Sequence, residues 1–244
     1  MKPELRCVTL TGADDSVVPG DLIDISREFP FVEWGILVGS SMGSTRFPSR
    51  AWIDYLLSAV SMAGVPVNLS LHICGVYIRE IRTGHSSLRN ALGPKLCEFQ
   101  RAQLNWHAEY QGRIGEHILK AFRSLYPWEP EIIFQLDGVN EAIMSEADGR
   151  FRCSGLFDAS HGAGELPSEW RLPRTDMQCG WAGGLGPDNV AEQLEKIREL
   201  ARGPFWIDME TKLFTDGEFD LTKCRAVLEA VADRSEILTE GGEN

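Results

Sequence analysis

The chain has no Cys-x-x-Cys pair, no basic run and no long uninterrupted apolar stretch. Its six cysteines stand apart at positions 7, 74, 97, 153, 179 and 224. That scatter excludes a zinc ribbon and a thioredoxin-type redox pair, which need thiols at short spacing. Lysine and arginine total 24 against 36 acidic residues, a net charge of −12. An acidic surface without a basic patch repels nucleic acid and anionic membranes, so neither is expected as a partner. The most apolar stretch, Ile53 to Leu71, is broken by Asp54, Gly64, Pro66 and Asn68, so it does not read as a membrane span. Met1 to Leu10 shows no apolar core of a signal peptide. Isolated thiols and no export signal read as a cytoplasmic protein. No Gly-x-Gly-x-x-Gly run appears, and no cofactor is expected.

What is present is a globular composition, 43% hydrophobic and 25% charged, with no linker dividing 244 residues. A short apolar strand, a polar turn and a helical pattern recur. The strand candidates are Arg6–Thr11, Val32–Gly39, Val67–Cys74, Ala102–His107, Glu131–Asp137, Phe151–Asp158, Met177–Ala182 and Phe205–Glu210. Helical patterns fall at 20–29, 49–63, 86–99, 112–125, 139–147, 188–202 and 220–233, with Ser49 and Asp188 as candidate caps. Alternating strand and helix demands a parallel sheet. Eight such units of about 30 residues fit an α/β fold of the (β/α)8 TIM-barrel kind better than an open sheet. The expectation is one domain over 1–244, with the barrel at about 5–234 and a frayed tail at 235–244.

Alternation along each strand then separates inside from outside. Outward side chains meet helices and must be apolar, and inward ones alternate with them. In the third strand Asn68, Ser70, His72 and Cys74 face in. In the fourth, Gln103, Asn105 and His107 face in, while Leu104 and Trp106 face out. Gln135 and Asp137 point inward from the fifth strand, and Trp206, Asp208 and Glu210 from the eighth. Barrel interiors are usually packed with Val, Ile and Leu. Here the C-terminal strand ends converge on His72, His107, Asp137, Asp158, Asp208 and Glu210. Such a polar mouth is a candidate site.

Two stretches carry chemistry. In Trp181-Ala182-Gly183-Gly184-Leu185-Gly186-Pro187-Asp188-Asn189-Val190 a strand ends in two glycines before a helix. A glycine pair lets a ligand approach the backbone, and in barrels the turn after the seventh strand commonly holds a phosphate on its N–H groups. In Leu156-Phe157-Asp158, followed by a glycine-rich loop and Trp170, a carboxylate ends the sixth strand. A partly desolvated carboxyl in a mouth of this kind can serve as general acid.

In this order the two stretches resemble the phosphoribosylanthranilate isomerase family of tryptophan biosynthesis. Gly183 to Val190 is similar to its Gly-Gly-Leu-x-Pro-x-Asn-Val run. Asp158 and Trp170 keep the family's spacing. Ser44-Thr45-Arg46 and Gln103-Leu104-Asn105-Trp106 echo two shorter motifs, and Asp208 matches the eighth-strand aspartate. The resemblance is specific over about 155–210 and thin elsewhere. It implies an aldose–ketose isomerisation of an aminoribose phosphate, an Amadori rearrangement. Asp158 would be the general acid, Arg46 would hold a substrate carboxylate, Asp208 would touch substrate hydroxyls, and Gly183 and Gly184 would bind phosphate.

The chain departs from that pattern at the base. The family's cysteine at the end of the first strand is replaced by Thr11, and an alcohol titrates far above a thiol's roughly 8.5. Cys7 has the same inward parity but lies about 13 Å toward the barrel's bottom. His72 or His107 is the expected substitute, a neutral imidazole being a competent base. The family's Ser-Ser-Gly after the eighth strand is Glu210-Thr211-Lys212. Glu210 would repel a phosphate and Lys212 would offset it. Ala13-Asp14-Asp15 adds two acids at the mouth.

The expected partner is a small phosphorylated sugar, bound by a monomer or homodimer. Two other readings stay open. One is a metal-dependent barrel epimerase or aldolase built on His72, His107, Asp137, Asp208 and Glu210, although no local ligand spacing marks a metal site. The other is a non-catalytic sugar-phosphate-binding relative that lost its base.

Overall fold

A computed structural model describes residues 3–106, 114–136, 140–147, 149–158, 164–173 and 178–234. Eight parallel strands close into a barrel in sequence order, and the last pairs with the first. They are β1 Leu5–Thr11, β2 Val32–Val38, β3 Asn68–Ile73, β4 Arg101–Leu104, β5 Glu131–Gln135, β6 Cys153–Asp158, β7 Cys179–Ala182 and β8 Phe205–Met209. The helices described between and after them are α1 Pro19–Glu28, α2 Arg50–Met62, α3 Gly75–Arg82, α4 Leu88–Leu92, α5 Ile114–Arg123, α6 Asn140–Ala147, α7 Val190–Leu200 and α8 Leu221–Ala232. This is the (β/α)8 barrel expected from the repeat of strand and helix.

The helices form where apolar residues recur on one face. Cys224, Val227, Leu228 and Val231 of α8 are buried at helical spacing. Trp52, Ile53, Leu56 and Leu57 do the same for α2. Ser49 caps α2 by accepting a hydrogen bond from the Trp52 N–H at 3.2 Å. The outward strand residues Leu69, Leu71, Ile73, Ile132, Phe134 and Ile207 are fully buried beneath these faces. Each such side chain contributes about 1.5–3 kcal/mol by leaving water.

Three local differences from the sequence reading matter. Strand four stops at Leu104, short of His107, so alternation no longer governs Trp106, which turns to the mouth with Arg82 stacked 4.5 Å from its ring centroid. Helix α3 occupies a stretch read as connection, and the 86–99 pattern divides into α4 and a 3-10 turn at Gly93–Glu98. A two-stranded hairpin follows β8, with β9 Phe214–Thr215 paired to β10 Glu218–Phe219. Its turn residues Asp216 and Gly217 both take positive φ. The hairpin seals the end of β1, since a Cβ on Gly12 (φ 120°) would sit 2.6 Å from the Phe214 ring.

The barrel interior is apolar in the middle and charged toward the N-terminal ends of its strands. Cys7, Ile133, Leu156, Ala182 and Trp206 make the apolar layer. Gly180 makes room for Trp206, because a Cβ there would lie 2.1 Å from the indole. Beneath it the buried Arg101 pairs with Glu33 at 2.9 Å and stacks on Trp206, 4.1 Å from the centroid. Thr9 donates to Glu33 at 2.8 Å, and Arg6 forks onto Glu131 at 3.1 and 2.8 Å.

Candidate active site

The C-terminal mouth encloses a cavity of about 240 Å³. Thr11, Arg46, His72, Asp158, Gly183, Gly184, Asp208, Glu210 and Lys212 all line it. Of the remaining site candidates, His107 and Asp137 lie outside the described residues, as do 159–163 and the tail at 235–244. Cys74, Gln103, Asn105 and Gln135, inward by parity, also line the mouth. Sequence reasoning missed Phe47 and Leu37, which add apolar wall. Leu37 was readable from the same parity. Phe47 sits in an irregular loop, where no periodicity guides the eye.

The eighth strand carries two acids to the mouth, but they end in different surroundings. Asp208 is buried and accepts a hydrogen bond from the Thr11 hydroxyl at 3.1 Å. Burial, and then the nearby Glu210 carboxylate, push its pKa up to about 8, against the pull of the Thr11 bond. Glu210 is also raised by burial, while Arg46 holds it down. Arg46 donates through Nε to Glu210 at 2.6 Å and pairs through Nη2 with the same carboxylate. Arg46 is therefore the cation paired with Glu210. Lys212 packs its stem beside Gly186, where a Cβ would meet it at 2.6 Å.

Arg46 itself sits at a backbone φ of 73°, which a side chain tolerates only under constraint. Asp14 supplies the constraint by accepting the Arg46 N–H at 2.7 Å, and it also accepts from the Ser16 backbone and hydroxyl. Asp15 accepts from the Ser49 N–H at 2.6 Å. The two acids read as charge at the mouth thus serve as clamps on the loop between β2 and α2.

His72 is almost wholly buried at the cavity floor. Its Nδ1 lies 3.4 Å from Gln103 Nε2, and its Nε2 has no hydrogen-bond partner among the described residues. Burial, reinforced by Arg101, lowers its pKa to about 3. That weakens the case for His72 as the base. A gap at Gly35 on β2 accommodates both His72 and Thr11. A Cβ at Gly35 would lie 2.2 Å from Thr11 Oγ1 and 2.9 Å from His72 Nε2. Of the cysteines near the barrel axis, burial pushes Cys7 up to about 12 and Cys74 up to about 11.

The Gly-Gly turn is held by its own helix. Asn189 accepts from the Gly186 N–H at 3.0 Å and donates to the Gly184 carbonyl at 2.9 Å. Asn189, and not Asp188, is the residue at the cap of α7. Gly183 and Gly184 have φ of 111° and 64°. The segment after β6 presses on the turn, since a Cβ on Gly184 would sit 2.3 Å from the Leu166 backbone nitrogen. Trp170 anchors that segment by donating to Gln193 of α7 at 3.0 Å. Among the described residues no group of three or more His, Cys, Asp or Glu is placed to hold a metal ion. Likewise, none of the described helices is long and apolar enough to cross a membrane.

Fold and mouth together define a (β/α)8 barrel with a polar, acid-bearing site at the C-terminal face. Within that class the chain resembles the phosphoribosylanthranilate isomerases, in sequence over half its length and in fold over nearly all of it. It is 29% identical over 128 residues to the N-(5'-phosphoribosyl)anthranilate isomerase of Zygosaccharomyces bailii, covering 50% of this chain and 53% of that one. The match therefore spans about half the length of that relative. The isomerase of Thermus thermophilus superposes with a TM-score of 0.56 at 20% identity, over 93% of this chain and 99% of that one. TrpF of Jonesia denitrificans gives 0.57 at 17% identity, over 93% and 96%. A phosphoribosylanthranilate isomerase bound to reduced 1-(o-carboxyphenylamino)-1-deoxyribulose 5-phosphate gives 0.53 at 15% identity, over 94% and 100%. No family model matches the chain.

Proposed function

We propose that this barrel is an isomerase of the phosphoribosylanthranilate kind, rearranging an aminoribose phosphate from its aldose to its ketose form in the cytoplasm. The observation that carries the reading is the meeting of Asp158 and the Gly183-Gly184 turn in one cavity of about 240 Å³. Asp158, at the end of β6, is the general acid. It protonates the ring oxygen as the C1–O bond breaks, and the nitrogen lone pair closes a protonated Schiff base. The Gly183-Gly184 turn takes the phosphate. Arg46 takes the substrate carboxylate by exchanging it for Glu210, one carboxylate for another on the same guanidinium. A relative of known name over half the chain supports the substrate class.

The test follows loss of phosphoribosylanthranilate fluorescence with purified protein and an Asp158→Asn variant. Turnover is expected in the parent and a loss of about 10²–10⁴-fold in the variant. A parent that leaves the fluorescence unchanged overturns the reading.

A further inference from the structure

The reaction needs a base at C2, and Thr11 stands where the family carries one. An alcohol is no base near neutral pH. Cys7 is buried below the mouth against Glu33 and Arg101, and Cys74 sits just past β3, at the start of α3, with Asn105 donating to its sulfur at 3.3 Å. His72 is held neutral and weakly basic by burial and by Arg101. One strand away from Thr11 is a carboxylate. Strands β1 and β8 pair in register Thr9 to Asp208 and Leu10 to Met209, so the inward Thr11 and Asp208 are diagonal neighbours. Their side chains meet at 3.1 Å within the cavity wall.

The geometry points to Asp208 as the general base, with Thr11 as the residue that positions it. This rests on the isomerase reading above. The Asp208 carboxylate takes the C2 proton. The C2–H electron pair forms the C1=C2 bond, and the C=N pair returns to nitrogen, giving the enolamine. Tautomerisation then moves a proton from the C2 hydroxyl to C1 overall, so no oxidant or reductant is needed. Thr11 donates to Asp208 and holds the carboxylate toward the mouth. A base with a pKa near 8 is matched to a near-neutral reaction, where an ordinary aspartate would be too weak. Burial sets most of that value, and the groups around it adjust it. Glu210 beyond it on β8, Glu33 on β2 and Asp158 on β6 raise it, Thr11 on β1 lowers it, and Arg101 on β4 faces it from below.

The experiment compares the parent, Asp208→Asn, Thr11→Cys and the double variant in the fluorescence assay from pH 5.5 to 9.5. Parental kcat/KM is expected to rise with pH through about 8, as the carboxylate forms. Asp208→Asn is expected to lose about 10³-fold in kcat with KM changed less than threefold, and to lose that pH limb. Thr11→Cys in the Asp208→Asn background is expected to recover at least tenfold, because a thiol at the family position restores a base. That recovery also shows that the Asn variant folds. A parent without turnover defeats the isomerase reading and this proposal with it. A turning-over parent whose Asp208→Asn variant keeps more than a tenth of kcat, or loses only in KM, overturns the base assignment alone. Failure of the thiol to restore any rate also overturns it, since the lost function would then be contact with substrate hydroxyls.

Discussion

The two ends of the barrel both carry buried charge, yet they handle it in opposite ways. At the N-terminal end, Arg101 lies among Glu33, Glu131 and the face of Trp206, and each acid has a cation within reach. Glu131 is accordingly held below the usual carboxylate range, by the Arg6 hydrogen bond and by Arg101, against the effect of burial. At the C-terminal end, Asp208 is hydrogen-bonded to the Thr11 hydroxyl, and burial together with the carboxylates of Glu210, Glu33 and Asp158 makes its pKa climb instead. Charge that is matched holds a structure together. Charge that is left unmatched is destabilising and available for proton transfer. The division agrees with the general rule that barrel chemistry sits at the C-terminal face and stability at the other.

The largest expected effect comes from unpairing the lower end. Arg101→Met leaves Glu33 buried without its cation and is expected to cost about 3–5 kcal/mol of stability in urea unfolding. Adding Glu33→Leu is expected to recover much of it, because two well-packed apolar groups replace a broken pair. If the double variant is no better than the single one, packing rather than charge governs that end.

Next comes Asp208→Asn, expected to move stability the other way. The folded pKa lies above the unfolded value of about 3.9, so the native state holds the extra proton between about 4 and 8. Stability from this group is complete at low pH and is lost as pH rises through that window. The variant is expected to be more stable than the parent at pH 8, on the order of a few kcal/mol, and equal to it near pH 4. Denaturant midpoints at the two pH values measure this, and equal midpoints at pH 8 would remove the contrast between the ends.

Smaller again is Glu210→Gln. Its pair with Arg46 is part-exposed, so less than about 1 kcal/mol of stability is expected to go. The variant frees Arg46 and removes a neighbour that raises Asp208. The pH limb of kcat/KM is expected to move to lower pH, which a pH–rate profile resolves. The smallest effect belongs to Arg6→Ala, whose side chain is 30% exposed and whose loss leaves Arg101 beside Glu131, within about 1 kcal/mol in the same urea assay.

Much of the upper end was legible in the sequence. Period-two alternation put His72, Gln103, Asp208 and Glu210 on the inner face, since a strand cannot point an apolar residue outward without turning its neighbour inward. The lower network was not legible. Glu33, Arg101 and Glu131 lie near strand starts, and their pairing depends on registers between strands that no local pattern encodes. Helix α3 escaped because Val76, Tyr77, Ile78 and Ile81 favour strands by propensity, and burial of Ile78 and Ile81 decides the matter. The hairpin after β8 did have a marker, the Asp216-Gly217 turn. The role of Asp14 and Asp15 as loop clamps could not be read, because their partners Arg46 and Ser49 come from the far side of β2.

The bond between Thr11 and Asp208 joins residues 197 positions apart. A chain emerging from the ribosome therefore exposes its first strand long before the eighth exists to cover it. Until then β1 has a free edge, ready to pair with another chain. The proposed proton-transfer site is assembled by the last stitch of the ring, and a chain that ends before Asp208 lacks its carboxylate. Any activity in the cell then reports barrels that have closed, and synthesis that stalls before Asp208 yields a product that is inert and prone to stick.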